Sequence, residues 1–180
     1  MKNASPYFSC RRLGRFSPRR RADAAFSLLE LSIVIFIISV LAAIAVPVFK
    51  RLTIDARTSA IENDLRVFSG AFQAYAQEHG DWPPGDTGPG EFPPAMATSL
   101  GRSNWTRVTP IGGRYTWAPN SVHQGERYHA AIVISAVEGQ PVTAERRQLE
   151  AIDRAIDDGS LDTGNFRLGF RNFPVFVIEH

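Results

Sequence analysis

Two sets of carboxylates are the groups in this 180-residue chain whose types and spacing could do chemistry. The first is a single residue. Glu30 stands near the start of Phe26–Phe49, FSLLELSIVIFIISVLAAIAVPVF, and from Leu31 to Phe49 no side chain is charged. A charge placed in hydrocarbon costs about 2.5–3.5 kcal/mol on insertion scales, so Glu30 needs either a partner cation or an escape to the interface. The second set is Asp153, Asp157, Asp158, Ser160 and Asp162, gathered at the end of an expected helix and in the glycine-containing loop after it. Carboxylates at a helix C-terminus oppose the helix dipole, and oxygen-rich loops suit calcium, which takes about 6–8 oxygen ligands. Asp157, Asp158 and Asp162 are the candidate calcium ligands. The spacing matches no EF-hand, and a solvated acidic turn is the alternative reading.

Catalytic patterns are absent from the sequence. There is no nucleophile motif, phosphate loop or Cys/His zinc spacing, and His79, His123, His129 and His180 are scattered with no i,i+4 pair. The expectation is a protein that is not an enzyme. Its formal net charge of +2 conceals an uneven distribution. Residues 1–25 carry seven basic side chains against the lone Asp23, which leaves 13 basic and 17 acidic residues in the remainder, a net of −4. An acidic remainder behind a basic leader argues against a nucleic-acid partner. The one cysteine, Cys10, lies in that leader, so the rest of the chain cannot form an intramolecular disulfide.

Phe26–Phe49 is the element that must position Glu30. Its 19 uncharged residues approach the about 20 that a bilayer-spanning helix needs. Six arginines, between Arg11 and Arg21, precede it, and only Lys50, Arg51 and Arg57 lie close on the far side. The positive-inside rule then keeps the N-terminus cytoplasmic and exports the remainder. A plain single-pass anchor is one reading of this segment. A cleaved secretory signal is a second, with Ala43-Ile44-Ala45 as the small-x-small site before Val46, although the apolar stretch is long for one and Glu30 is out of place there.

The third reading is a resemblance. Ala25-Phe26-Ser27-Leu28-Leu29-Glu30 resembles the prepilin processing site of the type IV pilin-like family, and the following LSIVIFIISVLAAIAVPVF is similar to that family's N-terminal helix, Pro47 included. The resemblance implies cleavage between Ala25 and Phe26 by a prepilin peptidase, then N-methylation of Phe26. The residue before the cut is usually Gly in the family and is Ala25 here. Four residues separate Phe26 from Glu30, one helical turn. The family implies that Glu30 pairs with the N-terminal amine of a neighbouring subunit, and that Pro47 marks a bend or local melting. The alternatives are that Glu30 snorkels to the interface and that the first helix stops at Val46.

Beyond Lys50 the chain turns amphipathic. Ile54, Ile61, Leu65, Phe68, Phe72 and Tyr75 follow spacings of 7, 4, 3, 4 and 3, one face of a helix that ends near His79-Gly80. Residues 80–113 hold seven glycines and six prolines, the composition of a loop, with a short helix expected over Pro94–Leu100. Such a loop resembles the variable αβ-loop of pilins and pseudopilins, which implies subunit contacts; a passive connector is the alternative. The Ile111-Gly112-Gly113 turn leads into an expected strand, Arg114–Trp117, and Thr109–Tyr115 resembles the Pro-x-Gly-x-x-Tyr turn of pseudopilins. A turn over Asn120–Gly125 precedes a buried strand at Ala130–Ser135. Thr143 is placed to cap a helix over 144–156, Phe166–Arg171 alternates as a half-buried strand, Pro174 interrupts, and Val175–Ile178 is the last strand.

The expected fold class is α+β: a long N-terminal helix, half membrane and half amphipathic, packed by a small, mostly antiparallel, pilin-like sheet. The divisions are a leader at 1–25, a membrane or filament-core helix at 26–49, its amphipathic continuation at 50–79, the loop at 80–113, and the sheet with one added helix at 114–180. The resemblance implies a pseudopilin of a type II secretion system, anchored once in the bacterial inner membrane with a periplasmic C-terminal domain. Its implied partners are the prepilin peptidase, copies of itself and related pseudopilins, and the inner-membrane assembly platform. A type IV pilin in adhesion, motility or DNA uptake is the alternative, and a membrane-anchored binding domain that never polymerises is another.

Overall fold

The structure, a computed structural model, describes residues 27–123 and 125–180. The leader and the Ala25–Phe26 cleavage position lie outside the described residues. The chain divides into two compact units at Ala43–Ile44, and helix α1 is Leu28–His79. Ser27 starts it: its Oγ accepts from the Leu29 N–H and its carbonyl from the Leu31 N–H. The helix continues through Pro47, so the alternative of a stop at Val46 is not what the chain does. A proline removes one intrahelical hydrogen bond without removing the helix-favouring residues on either side.

In the second unit α1 turns one face inward. Ile61, Leu65, Phe68 and Phe72 are buried, and Ile54 and Tyr75 are half-buried, the stripe that the apolar spacing predicts. Against it lies a four-stranded antiparallel sheet made of β1 (Arg114–His123), β2 (Glu126–Ser135), β3 (Phe166–Leu168) and β4 (Pro174–Glu179), in the order β1-β2-β4-β3. Tyr115 and Trp117 of β1 and Ala130, Ile132 and Ile134 of β2 join the α1 face in one core. The alternate residues Ala131, Val133, Val175 and Val177 form a second, smaller cluster, as a pleat of period two requires.

The sequence places several boundaries differently. β1 runs through Asn120 to His123 where a turn over Asn120–Gly125 is expected. β1 is an edge strand, which tolerates Pro119, and Asn120, at a left-handed φ of 50°, drops out of the pairing while the register is the same on either side of it. Helix α3 is Arg146–Ile156 and starts two residues after the expected Ala144. Thr143 does not cap it, because its hydroxyl donates to the Ile111 carbonyl and its N–H bonds the same oxygen. The Phe166 strand ends at Leu168, and Phe170–Asn172 is a tight 3-10 turn with Arg171 and Asn172 at φ 56° and 59°. Pro174 opens β4 rather than interrupting it, since a first strand residue need not donate to the ladder.

The loop after α1 is more than a connector. It holds a 3-10 turn at Pro94–Met96 and a short helix α2 at Ala97–Leu100, as expected. It also delivers Met96, Leu100, Trp105 and Ile111 to the core. Trp105 Nε1 donates to the Glu91 carbonyl at 2.7 Å, and Trp117 Nε1 donates to the Pro83 carbonyl at 2.8 Å. These bonds let indoles fill the space between helix and sheet with their polar edges satisfied.

Candidate functional site

Every residue from Ser27 to Leu52 is exposed, and most of them are large and apolar. Among the described residues, α1 is a helix long and apolar enough to cross a membrane. Two serines within that stretch are satisfied locally. Ser32 Oγ donates to the Leu29 carbonyl and Ser39 Oγ to the Ile35 carbonyl, both at 2.7 Å, the only kind of partner hydrocarbon allows. Glu30 sits in the first turn of α1, where the helix dipole favours a negative charge. Among the described residues no cation pairs with it.

The second site lies where α3 ends. Asp153, Asp157 and Asp158 each offer one carboxylate oxygen, and the three oxygens lie within 4.8 Å of one another. Asp162 is exposed and is not part of this set, so the sequence names two of the three clustered aspartates as ligands and substitutes Asp162 for Asp153. The residues around them form a tight turn. Asp158 Oδ1 accepts the Ser160 N–H at 2.8 Å and Oδ2 accepts the Thr163 hydroxyl at 2.6 Å, which holds its carboxyl below the usual range. Asp157 accepts the Asn165 N–H, at the entry to β3. Gly164, at φ 76°, presses so closely on Asp157 that a Cβ there would stand 2.0 Å from Oδ2.

Asp153 differs from its neighbours. It is 0% exposed, and neither of its carboxylate oxygens has a hydrogen bond of full geometry. Burial, and then the charges of Asp158 and Asp157, push its pKa up to about 6, while the nearby Gly159 backbone N–H and the Arg154 charge pull the other way.

Two buried polar positions escape the sequence reading. Asp64 lies on the inward face of α1, accepting the Tyr115 hydroxyl and the Asn104 amide. Gln148 of α3 donates to the Ile54 carbonyl and to Thr58 Oγ1 of α1. The signal is present in the spacing: Asp64 stands three residues after Ile61 and four before Phe68, and Gln148 stands four before Ile152. A polar residue at stripe spacing is a buried residue that must have a partner. The histidines serve separate local roles. His79 stacks on Tyr75, His123 Nδ1 accepts the Phe170 N–H, and His180 meets the Tyr128 ring edge-on.

Comparison with known proteins bears on both units. The prokaryotic N-terminal methylation motif matches residues 20–46, a span that includes Ala25, Phe26 and Glu30. No curated protein matches the chain. The fold is similar to the major type IV pilin PilA1 from Clostridium difficile, with a TM-score of 0.50 at 16% identity, covering 72% of this chain and 98% of that one. Residues 20–46 thus carry a prokaryotic N-terminal methylation motif, and the fold of the described chain, a long helix laid on a four-stranded antiparallel sheet, is type IV pilin-like.

Proposed function

We propose that this chain is a filament subunit of a type II secretion pseudopilus. The observation that carries a filament role is the helical segment Leu31–Phe49, uncharged and exposed along its whole length, headed by Glu30, which pairs with no cation among the described residues. An apolar surface of that extent needs lipid or other subunits around it. A prepilin peptidase cuts between Ala25 and Phe26 and methylates the new amine. Glu30 of one subunit then meets the amine of its neighbour. In a low-dielectric core that pairing favours one axial register, because either charge alone is stranded. Before assembly the chain is a single-pass protein of the inner membrane with its sheet domain in the periplasm, and its contacts are the peptidase, like subunits and the assembly platform.

The pseudopilus assignment rests on the missing cysteine. Cys10 lies before the cut, so the processed chain has none, whereas many type IV pilins carry a C-terminal disulfide. The fold similarity to a major type IV pilin favours the second reading, a surface pilus subunit. Glu30→Ala tests the filament role in the native host: crosslinked multimers disappear if it is right and persist if the segment is only an anchor. A deletion strain separates the two filament readings. Loss of secreted proteins with surface pili intact supports the pseudopilus, and loss of surface pili with secretion intact supports the pilin.

A further inference from the structure

The part of α1 that lies in the second unit is charged unevenly along its length. Near its start stand Lys50, Arg51 and Arg57, all exposed, with Asp55 as the one acid among them. None of these four side chains has an ion-pair partner among the described residues. At its other end the helix borders a cleft of about 450 Å3, whose lining includes Gln73, Gln77, Asp81, Trp82, His129 and Glu179. The last turn of α1 contributes to this lining, so the negative end of the helix dipole adds to the two carboxylates. His129 is the only basic side chain in it.

Trp82 fixes both carboxylates of the cleft. Its backbone N–H donates to Asp81 Oδ1 at 2.7 Å, and its indole Nε1 donates to Glu179 Oε2. Each carboxylate keeps its second oxygen without a partner among the described residues. Two anchored, half-satisfied carboxylates beside two glutamine amides suit the planar fork of an arginine or the ammonium of a lysine. Acceptors held in place beforehand reduce the ordering cost that makes an ordinary exposed ion pair worth little.

We propose that this cleft receives the basic segment, residues 50–57, of a second copy of the chain. The inference rests on the filament reading above. No copy can fill its own cleft. Arg51 and Asp81 are 30 positions apart on a helix that runs unbroken to His79, which separates them by about 45 Å at ~1.5 Å per residue. Copies anchored through the same apolar segment run parallel, so the basic segment of one meets the cleft of another only when the two are displaced along the axis by about that distance. The two surfaces differ, which makes the contact heterologous. It leaves a free cleft at one end and a free basic segment at the other, and it repeats into an open array instead of closing a dimer.

The test uses the full chain in the native host with Cys10→Ser, so that introduced cysteines are the only ones. Asp55→Cys marks the basic segment and Gln77→Cys marks the cleft, and neither removes a charge that the contact needs. Treated with a short bismaleimide, the double variant is expected to give a ladder of covalent multimers, and each single variant only monomer. Monomer alone from the double variant, while formaldehyde still captures its multimers, overturns the contact and leaves the filament reading standing. Absence of formaldehyde-captured multimers in the wild type overturns both. Exchanging the charges is the second measurement. Arg51→Glu and Asp81→Lys each lower the formaldehyde-captured multimers several-fold, and the two together restore them. Dimers from either single cysteine variant, or a combined exchange no better than its parts, contradict the proposal.

Discussion

The Tyr115 hydroxyl donates to Asp64 Oδ2 at 3.1 Å, joining the first sheet strand to the inward face of α1 across 51 residues of sequence. The same carboxylate takes the Asn104 amide at 3.0 Å on its other oxygen. One buried acid thus gathers the helix, the long loop and β1. Tyr115→Phe leaves Asp64 with one partner and is expected to destabilise the chain by about 1–3 kcal/mol. Asp64→Ala removes the hub for both partners and costs at least as much. Urea unfolding of the two single variants and the double variant measures the coupling, which is expected to be non-additive because the residues touch.

The same pair predicts a pH dependence. Burial first, and then the charge and hydrogen bond of Asp64, push the Tyr115 phenol far above its ordinary value near 10. An unfolded chain ionises this group at about pH 10, while the folded chain keeps the proton. Above that pH the folded state binds more protons than the unfolded one, so stability is complete below pH about 10 and falls as pH rises further. Tyr115→Phe removes that contribution. Denaturant midpoints taken across pH about 9–11 should fall steeply for the wild type and less steeply for the variant.

Two glycines should respond in opposite directions to one methyl group. Gly112, at φ 84°, makes the turn that starts β1, and a Cβ there would stand 2.1 Å from the Pro141 carbonyl oxygen. Gly112→Ala is expected to cost more than about 1 kcal/mol, from left-handed strain and the clash together. Gly70 lies inside α1 with nothing within 4 Å of the position its Cβ would take. Gly70→Ala is expected to stabilise by about 0.5–1 kcal/mol. Thermal unfolding of both variants checks the pair, and equal shifts in one direction would contradict it.

The long helix and its buried stripe are legible because their signals are local. The 7, 4, 3, 4, 3 spacing from Ile54 to Tyr75 needs nothing beyond helical geometry. What a linear reading loses is long-range. Thr143 has the chemistry of a cap, yet the Ile111 carbonyl, 32 residues away, takes its hydroxyl. Trp105 and Trp117 lie in and beside a loop-like stretch, and only the assembled core shows that they stack around Phe68 and Phe72; the Phe72 and Trp117 rings lie 3.9 Å apart and nearly parallel. Asp153 is the same lesson in the carboxylate cluster. Composition marks the cluster, but which aspartates converge depends on how the loop folds back over α3.

The central claim is that Phe26 becomes a methylated N-terminus four residues before Glu30, as the methylation motif over residues 20–46 implies. Intact mass and N-terminal peptide analysis of the protein from native membranes tests this directly. The account predicts a chain that begins at N-methylated Phe26, with Ala25 accepted before the cut. A chain beginning at Val46 would instead make this a secreted protein without its assembly helix, and one that keeps its leader would leave only an anchor; either result contradicts the account.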